Sequence, residues 1–289
     1  MSNKISIRFY KDSQVRAVWG EEQNKWFFSI VDIVGAITNS LRPRVYWGTV
    51  KNRQRLRYNE LYSKCIQLKL VAADGKYYAT DCFAQEDIVE VVKTLPAKNI
   101  TAFLDWFTYS DNSIDGQSRK KAYLFWESNM IAPNEIGTVK ALQKIHAYLF
   151  GGLYDFAGEI RTKTIWKDGT LFCRAEYLRH NLEQIEQMPQ GTFDEIVDKY
   201  VEMNIAHPFM EGNGRSTRIW LDLIFKHSLE LCVDWSKIDK KAYLLAMHES
   251  TTDAGHIKDL LRQSMTDKID DREIFMKGID YSYYYEQVE

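Results

Sequence analysis

Twelve consecutive residues, from His207 to Arg218, hold a concentration of reactive side chains and read HPFMEGNGRSTR. Apolar residues recur with a helical period on both sides, over residues 193–206 and again over 216–227. A glycine-containing polar stretch between two amphipathic helices is a loop, and this loop ends at a helix N-terminus. Exposed N–H groups and the helix dipole favour anions there. The pattern therefore predicts a helix–loop–helix unit with an anion-binding loop.

Each residue type in this loop suits a magnesium-bound nucleotide. Histidine takes a proton near neutral pH, and a carboxylate can hold Mg²⁺, which keeps most of its ligands as water and phosphate oxygen. Glycines let backbone N–H groups close on a phosphate, and arginines grip phosphate oxygens in a two-pronged fashion. The alternative is structural, a buried histidine before a glycine-rich turn that opens a helix. The order and spacing of twelve positions favour the nucleotide site.

The stretch resembles the signature of the Fic family, H-x-F-x-D/E-G-N-G-R-x-x-R, at every defined position. Fic proteins are mainly α-helical enzymes that move the AMP part of ATP onto a hydroxyl of another protein. The resemblance implies that His207 is the base for a Ser, Thr or Tyr hydroxyl, that Glu211 holds Mg²⁺, and that Phe209 points into the core. It also implies nucleotide contacts from Gly212, Asn213 (α-phosphate), Gly214, Arg215 (β-phosphate) and Arg218 (γ-phosphate).

Ahead of the signature, two β-prone runs flank Asp168-Gly169, which favours a hairpin with a two-residue turn. An ordinary hairpin needs no function. In Fic proteins, however, a hairpin flap just before the signature holds the target chain by backbone pairing, and the lead-in Phe156–Arg161 is similar to the family. The resemblance assigns target docking to Thr164, Ile165, Trp166, Lys167, Asp168, Gly169, Thr170 and Leu171.

Near residue 280 an aromatic-rich stretch begins. Ser282 and Glu286 share one face if the stretch is a helix, for which Asp280 suits the N-cap. The alternative is a tail that packs on the domain. The stretch resembles the inhibitory S/T-x-x-x-E-G/N helix that one Fic subclass carries at its C-terminus, and it departs at Gln287. The resemblance implies an autoinhibited enzyme with a helix near 281–287, in which the glutamate pairs with Arg218 and blocks the γ-phosphate. Self-modification is predicted for Tyr281, Tyr283, Tyr284 and Tyr285.

The first hundred residues follow a different pattern. Three short β-branched and aromatic runs, a helical run from Ser29, a helix start at Pro43 and an Asp74-Gly75 hairpin predict a small α+β domain. A basic run from Arg42 to Arg57 with interleaved aromatics suits a nucleic-acid backbone and stacked bases. The alternative is a solvated helix face whose aromatics serve the core. The order of elements loosely resembles the Bro-N module of phage antirepressor-like proteins, which implies a DNA-binding or regulatory module.

A polar, turn-rich stretch, residues 111–118, is predicted as a linker between two domains, 1–110 and 119–289. The expected fold is therefore mainly α: an α-helical Fic domain with a β-hairpin flap, preceded by a smaller α+β domain. The remaining histidines are expected to serve packing or lie on the surface, namely His146, His180, His227, His248 and His256.

Charge and composition narrow the partners. The net charge of −2 implies no global attraction to nucleic acid or membrane. The four cysteines show no zinc spacing, and no secretory leader or long apolar run is recognisable. A cytoplasmic enzyme that uses Mg²⁺ and ATP on an unidentified target protein is expected, with self-association left open. Two rivals stay open: a Fic enzyme that transfers another nucleotide or phosphocholine or removes AMP, and a DNA-binding transcriptional regulator whose Fic domain senses nucleotide.

Overall fold

The computed structural model describes residues 4–72, 74–110, 112–167 and 170–287. The chain divides into two compact units between Ser113 and Ile114. The first unit mixes a sheet with helices, and the second is mainly helical with a short hairpin. This architecture confirms the predicted fold class.

A five-stranded antiparallel sheet organises the first unit. Its strands are β1 (Ile5–Tyr10), β2 (Ser13–Gly20), β3 (Lys25–Ser29), β4 (Ile66–Val71) and β5 (Tyr77–Ala84). They lie in the order β1-β2-β3-β5-β4. The predicted hairpin joins β4 to β5, and Gly75 in its turn has a φ of 76°. Ala73, in the same turn, lies outside the described residues.

Five helices complete this unit. They are α1 (Ile30–Thr38), α2 (Pro43–Gln54), α3 (Asn59–Ser63), α4 (Gln85–Lys93) and α5 (Ile100–Ser110). Helix α1 begins as predicted because Ser29 Oγ accepts a hydrogen bond of 3.1 Å from the backbone N–H of Asp32. Phe28, Phe83 and Ile33 are fully buried in the core between sheet and helices.

Helices dominate the second unit. They are α6 (Ile114–Leu124), α7 (Val139–Phe150), α8 (Ala175–Gln187), α9 (Phe193–Ala206), α10 (Asn213–Leu229), α11 (Lys240–Glu249), α12 (Gly255–Gln263) and α13 (Arg272–Tyr285). Two-residue strands form two small pairs: β6 (Trp166–Lys167) with β7 (Thr170–Leu171), and β8 (Cys232–Val233) with β9 (Met265–Thr266). Helix α10 packs against α7, α9 and α13. Among the described residues, no helix combines the length and apolar character that a membrane span requires.

The predicted linker is wrong over residues 114–118, which form the first turns of α6. Gly116 and Ser118 are small and buried in this helix. The Tyr283 hydroxyl donates a hydrogen bond of 2.9 Å to Ser118 Oγ. Helix packing therefore overrides the turn propensity of a polar, glycine-containing stretch.

The predicted start of the last helix is also wrong. Helix α13 begins at Arg272, where the Asp271 side chain accepts from the first backbone N–H groups. Asp280, which the sequence suggests as the cap, is buried and bonded to the Tyr123 hydroxyl. Gly278 lies within this helix and is buried beside Trp235, whose Cδ1 would lie 3.1 Å from an added Cβ.

We expect residues 1–113, expressed alone, to unfold cooperatively in urea, because the main core cluster of the first unit comes from residues 10–107. Phe28→Ala should lower the free energy of unfolding by about 3–5 kcal/mol. Leu56→Ala, at a side chain that is 91% exposed, should change it by less than about 0.5 kcal/mol. Circular dichroism checks both, and a non-cooperative fragment would contradict the expectation.

Candidate functional site

The HPFMEGNGRSTR loop reverses the chain between α9 and α10. His207 follows the last turn of α9 with a left-handed φ of 50°, and Gly212 precedes α10 with a φ of 80°. Helix α10 begins three residues before the predicted Ser216, so Gly214 and Arg215 lie in its first turn. His207 and the start of α10 thereby line one cleft of about 370 Å³.

The His207 ring is held in one tautomer. Its Nδ1 lies 3.2 Å from the carbonyl oxygen of Asn204, and since a carbonyl only accepts, Nδ1 carries the proton. Phe172 stacks on the ring with centroids 3.7 Å apart. Burial lowers the pKa of His207 to about 4. At neutral pH the ring is therefore uncharged, with Nε2 as its proton acceptor.

Asn213 clamps the loop shut. Its Nδ2 donates to the carbonyl of Phe209 (2.8 Å), and its Oδ1 accepts from the N–H of Phe209 (2.9 Å). Phe209 is fully buried, as predicted. This geometry commits the side-chain amide to the loop, and the α-phosphate contact that the resemblance implies for Asn213 stays a prediction. The backbone N–H of Asn213 lies at the start of α10.

His146 belongs to the site, although the sequence predicts only packing or exposure for it. Its Nδ1 accepts from the N–H of Gly158 (2.9 Å), which leaves Nε2–H to donate to the carbonyl of Glu211 (2.8 Å). The ring stacks on Phe209, and burial lowers the pKa of His146 to about 4. In the sequence, His146 lies beside Ile145 in the apolar stripe of α7, which indicates a packed histidine. The hydrogen-bonded bridge from Gly158 through His146 to Glu211 depends on the tertiary structure.

Arg161 ties the loop to the chain on both sides of the hairpin. Its Nε donates to the carbonyl of His207 (2.7 Å) and its Nη1 to that of Lys163 (2.6 Å). Its Nη2 donates to the carbonyls of Ala206 (3.0 Å) and Cys173. The side chain is buried. One guanidinium therefore sets the position of the hairpin relative to His207.

The hairpin itself is present as predicted. Trp166 pairs with Leu171, and Lys167 pairs with Thr170. At its base, Ile165 O accepts from the N–H of Phe172 (3.4 Å), and Thr164 Oγ1 accepts from the N–H of the first residue of α8 (3.2 Å). The Trp166 side chain is largely exposed. Asp168 and Gly169 lie outside the described residues, and the docking role stays a prediction.

Arg218 is buried and meets three hydrogen-bonding side chains. It donates to Ser282 Oγ (2.7 Å), to the Tyr243 hydroxyl (3.1 Å) and to Glu286 Oε1 (2.6 Å). It also donates to the backbone carbonyl of Ser282 (2.8 Å). The pairing that the resemblance implies between the second signature arginine and the glutamate is present.

The Glu286 carboxylate lies over the start of α10. Burial favours the neutral form of Glu286. The positive charges of Arg218, Arg215 and Lys167 outweigh the effect of burial and lower the pKa of Glu286 to about 2. Lys167 Nζ, from the hairpin, lies 3.8 Å from Glu286 Oε2. Gly214 permits this approach, because a Cβ added there would collide with Glu286 Oε1.

Arg215 is also occupied by acids. Its Nη2 donates to Glu211 Oε1 (2.9 Å), and its Nη1 pairs with Asp115 of α6. The guanidinium is buried and lies over the ring of Phe150, 5.0 Å from its centroid. Glu211 Oε1 also accepts from the N–H of Gly212 (2.9 Å). The pairing with Asp115 had no signal in the sequence.

The tyrosines of α13 are buried or half-buried in this conformation, and their self-modification stays a prediction. The Tyr283 hydroxyl bonds Ser118, and the Tyr285 hydroxyl donates to the carbonyls of Trp235 (2.9 Å) and Ile238 (3.0 Å). Burial raises the pKa of both phenols. Tyr281 is buried and Tyr284 half-buried. Most of the aromatic side chains of α13 therefore pack within the domain.

Comparison with known proteins adds to this geometry. Residues 137–225 match the Fic/DOC family. The chain is 28% identical over 138 residues to "Protein adenylyltransferase VbhT" of Bartonella schoenbuchensis, across 44% of this chain and 29% of that protein. It is 27% identical over 113 residues to "Probable protein adenylyltransferase Fic" of Escherichia coli, across 35% of this chain and 56% of that protein.

Among solved structures, the BepC protein of Bartonella tribocorum with bound AMPPNP aligns with 22% identity and a TM-score of 0.45. That alignment covers 53% of this chain and 84% of that one. The chain spans 29% and 56% of the two curated relatives described above, less than two thirds of either. The family match covers the hairpin, the His207 loop and most of α10. The similarity to the Fic/DOC family therefore lies in the part of the chain that forms this site, residues 137–225.

Proposed function

We propose that the chain is a protein adenylyltransferase, which moves AMP from Mg-ATP to a Ser, Thr or Tyr hydroxyl of a target protein and releases pyrophosphate. The observation that carries the proposal is one cleft that joins a neutral His207 to the start of α10, where Arg215 and Arg218 lie. The curated relatives named as adenylyltransferases support it.

In the proposed reaction, Nε2 of His207 takes the proton from the target hydroxyl. The hydroxyl oxygen forms a bond to the α-phosphorus, and the bond from that phosphorus to the bridging oxygen breaks, so that pyrophosphate leaves with the electron pair. Positioned proton transfer contributes about 10²–10⁴-fold to the rate. The low pKa makes free His207 a weak base, and the negative charge of a bound triphosphate would raise that pKa.

The phosphates would lie at the N-terminus of α10. The backbone N–H groups of Asn213, Gly214 and Arg215 donate to no acceptor among the described residues. A helix dipole contributes only about 0.3–1 kcal/mol, so the two arginines must supply most of the binding. Arg215 would contact the β-phosphate and Arg218 the γ-phosphate.

Magnesium would be held by Glu211. Glu211 Oε1 accepts hydrogen bonds from Gly212 and Arg215, whereas Oε2 accepts none from a described residue. A single carboxylate oxygen fits Mg²⁺, which takes its other ligands from water and phosphate. Bound Mg²⁺ would offset the negative charge of the leaving pyrophosphate.

The hairpin would dock the target chain. An extended peptide can add to the open edge of β6 or β7 by backbone hydrogen bonds, which provide register without strong sequence preference. Arg161 connects this edge to His207, so a docked backbone would lie at a defined distance from the base.

Inhibition by α13 is part of the proposal. Glu286 occupies the Nη2 group of Arg218 that a γ-phosphate would need. Gln287 departs from the Gly or Asn of the inhibitory motif, but the last turn is still anchored, because Lys240 Nζ donates to the carbonyl of Gln287 (2.7 Å). The carboxylate would keep the triphosphate out of its productive position.

DNA binding by the first unit is a second candidate function, supported by exposed arginines. Arg53, Arg55 and Arg57 are exposed, and no described acid lies within ion-pair distance of them. Lys51, in contrast, pairs with Asp81 at 2.6 Å. Of the interleaved aromatics, Trp47 is buried in the core, Tyr46 is half-buried and Tyr58 is exposed.

We expect Glu286→Gly to raise AMP incorporation from labelled Mg-ATP by about 5–150-fold, because Arg218 is then free for the γ-phosphate. Adding His207→Ala to that variant should abolish the gain. Gln287→Gly, which adds the same backbone freedom but keeps the carboxylate, should leave incorporation low. Equal labelling by wild type and Glu286→Gly would contradict the inhibitory role of Glu286. Labelling by the double variant would contradict the assignment of His207 as the base.

His207 should also make stability sensitive to acid. Burial lowers its pKa from 6.5 to about 4, so below pH 6.5 the unfolded chain binds a proton that the folded chain does not. Its contribution is complete above pH 6.5 and is lost as the pH falls toward 4. The loss should be on the order of 1–3 kcal/mol.

Urea unfolding at a series of pH values tests this contribution. His207→Asn should lose less stability on acidification than wild type. The exposed His180→Asn should follow the wild-type curve. Parallel curves for wild type and His207→Asn would contradict the assigned protonation state.

For the first unit, we expect salt-dependent binding to duplex DNA. Replacing Arg53, Arg55 and Arg57 with alanine should reduce the slope of log K against log salt by about one per lost phosphate contact. Lys64→Ala is the control, because Lys64 is paired with Asp87 at 2.7 Å. No binding by wild type at low salt would remove this second function.

A further inference from the structure

Asp115 contacts the same arginine that the proposed function assigns to the β-phosphate. It lies in the first turn of α6, outside the family match, and pairs with Nη1 of Arg215. The two side chains differ in exposure, with Arg215 4% and Asp115 50% exposed. The cation is therefore fixed in the protein interior, whereas the carboxylate can turn out into solvent.

Each of the two arginines that the proposed function assigns to phosphate is paired with a carboxylate from outside the signature. Glu286 of α13 holds Arg218, and Asp115 of α6 holds Arg215. Helices α6 and α13 are joined to each other, since the Tyr283 hydroxyl bonds Ser118 and the Tyr123 hydroxyl bonds Asp280. One helix pair thus presents a carboxylate to each arginine.

Charge balance indicates what these acids do. Three cations lie together near the start of α10, from Lys167, Arg215 and Arg218. Three carboxylates pair with them, from Glu211, Asp115 and Glu286. These acids offset the positive charge that the three cations would present to an anion. Mg-ATP carries net negative charge, so it meets a more positive site when Asp115 and Glu286 have left.

We propose that Asp115 is a second internal competitor for phosphate, which lowers the affinity of Arg215 for a diphosphate group. The proposal rests on the proposed function in its placement of the β-phosphate at Arg215. Releasing Glu286 clears Arg218 but leaves Asp115 on Arg215. Glu286→Gly is then only partly activated, and Asp115 sets the remaining affinity for polyphosphate.

Binding of pyrophosphate, ADP, ATP and AMP to the full chain, measured by titration calorimetry with Mg²⁺, tests this proposal. In the Glu286→Gly background, Asp115→Asn should tighten binding of pyrophosphate, ADP and ATP by about three- to tenfold, because a half-exposed ion pair no longer competes. AMP, which has no β-phosphate, should change by less than about twofold. Asp115→Glu, which keeps the charge, should retain the weaker diphosphate binding.

Asp155→Asn is the matched control. Asp155 is an exposed acid of the same unit, and no described cation lies within ion-pair distance of it. It should leave all four affinities unchanged. Thermal unfolding of each variant verifies that it is folded.

The outcomes separate this proposal from the proposed function. If Glu286→Gly binds ATP and Asp115→Asn leaves diphosphate affinity unchanged or weaker, Asp115 is no competitor and the adenylyltransferase proposal stands. If Asp115→Asn tightens pyrophosphate binding while no variant binds ATP, the competition is real and the nucleotide assignment fails.

Discussion

The buried charge of Arg218 is the constraint around which the site is arranged. Its guanidinium is enclosed by α10, α11 and α13, with its side chain only 3% exposed. A buried cation without a partner is costly, and removing one partner of such a pair typically costs about 3–5 kcal/mol. The fold therefore requires an anion at this point. Glu286 supplies it here, and under the proposed function the γ-phosphate would take its place.

Most of the remaining site is held by neutral or backbone contacts. His146 and His207 are both uncharged near neutral pH, and in each ring a hydrogen bond to the backbone sets which nitrogen bears the proton. Asn213 closes the loop on Phe209, and Arg161 binds carbonyl groups on both sides of the hairpin. These groups order the loop without adding anions, so the charges that face the cleft come from a few side chains that ligands can compete for.

Two departures from the sequence expectations share one cause. Residues 114–118 look like a linker by composition, yet small buried side chains and a contact with α13 make them helical. Asp280 suits a helix N-cap by residue type, yet it is buried inside α13 and bonded to the Tyr123 hydroxyl. In both cases a partner distant in sequence decided the outcome, and local sequence patterns carry no information about such partners.

The sequence by itself determined the elements whose physical cause is local. Spacing in HPFMEGNGRSTR identified the loop and its helices, an Asp-Gly pair marked the hairpin, and Ser29 marked the start of α1, because caps, turns and amphipathic periods act over a few residues. Only the tertiary structure decided which charges meet. The pairs Arg218–Glu286 and Arg215–Asp115 join residues 68 and 100 positions apart. Helix packing selects such pairs, and the first was anticipated only through a family resemblance.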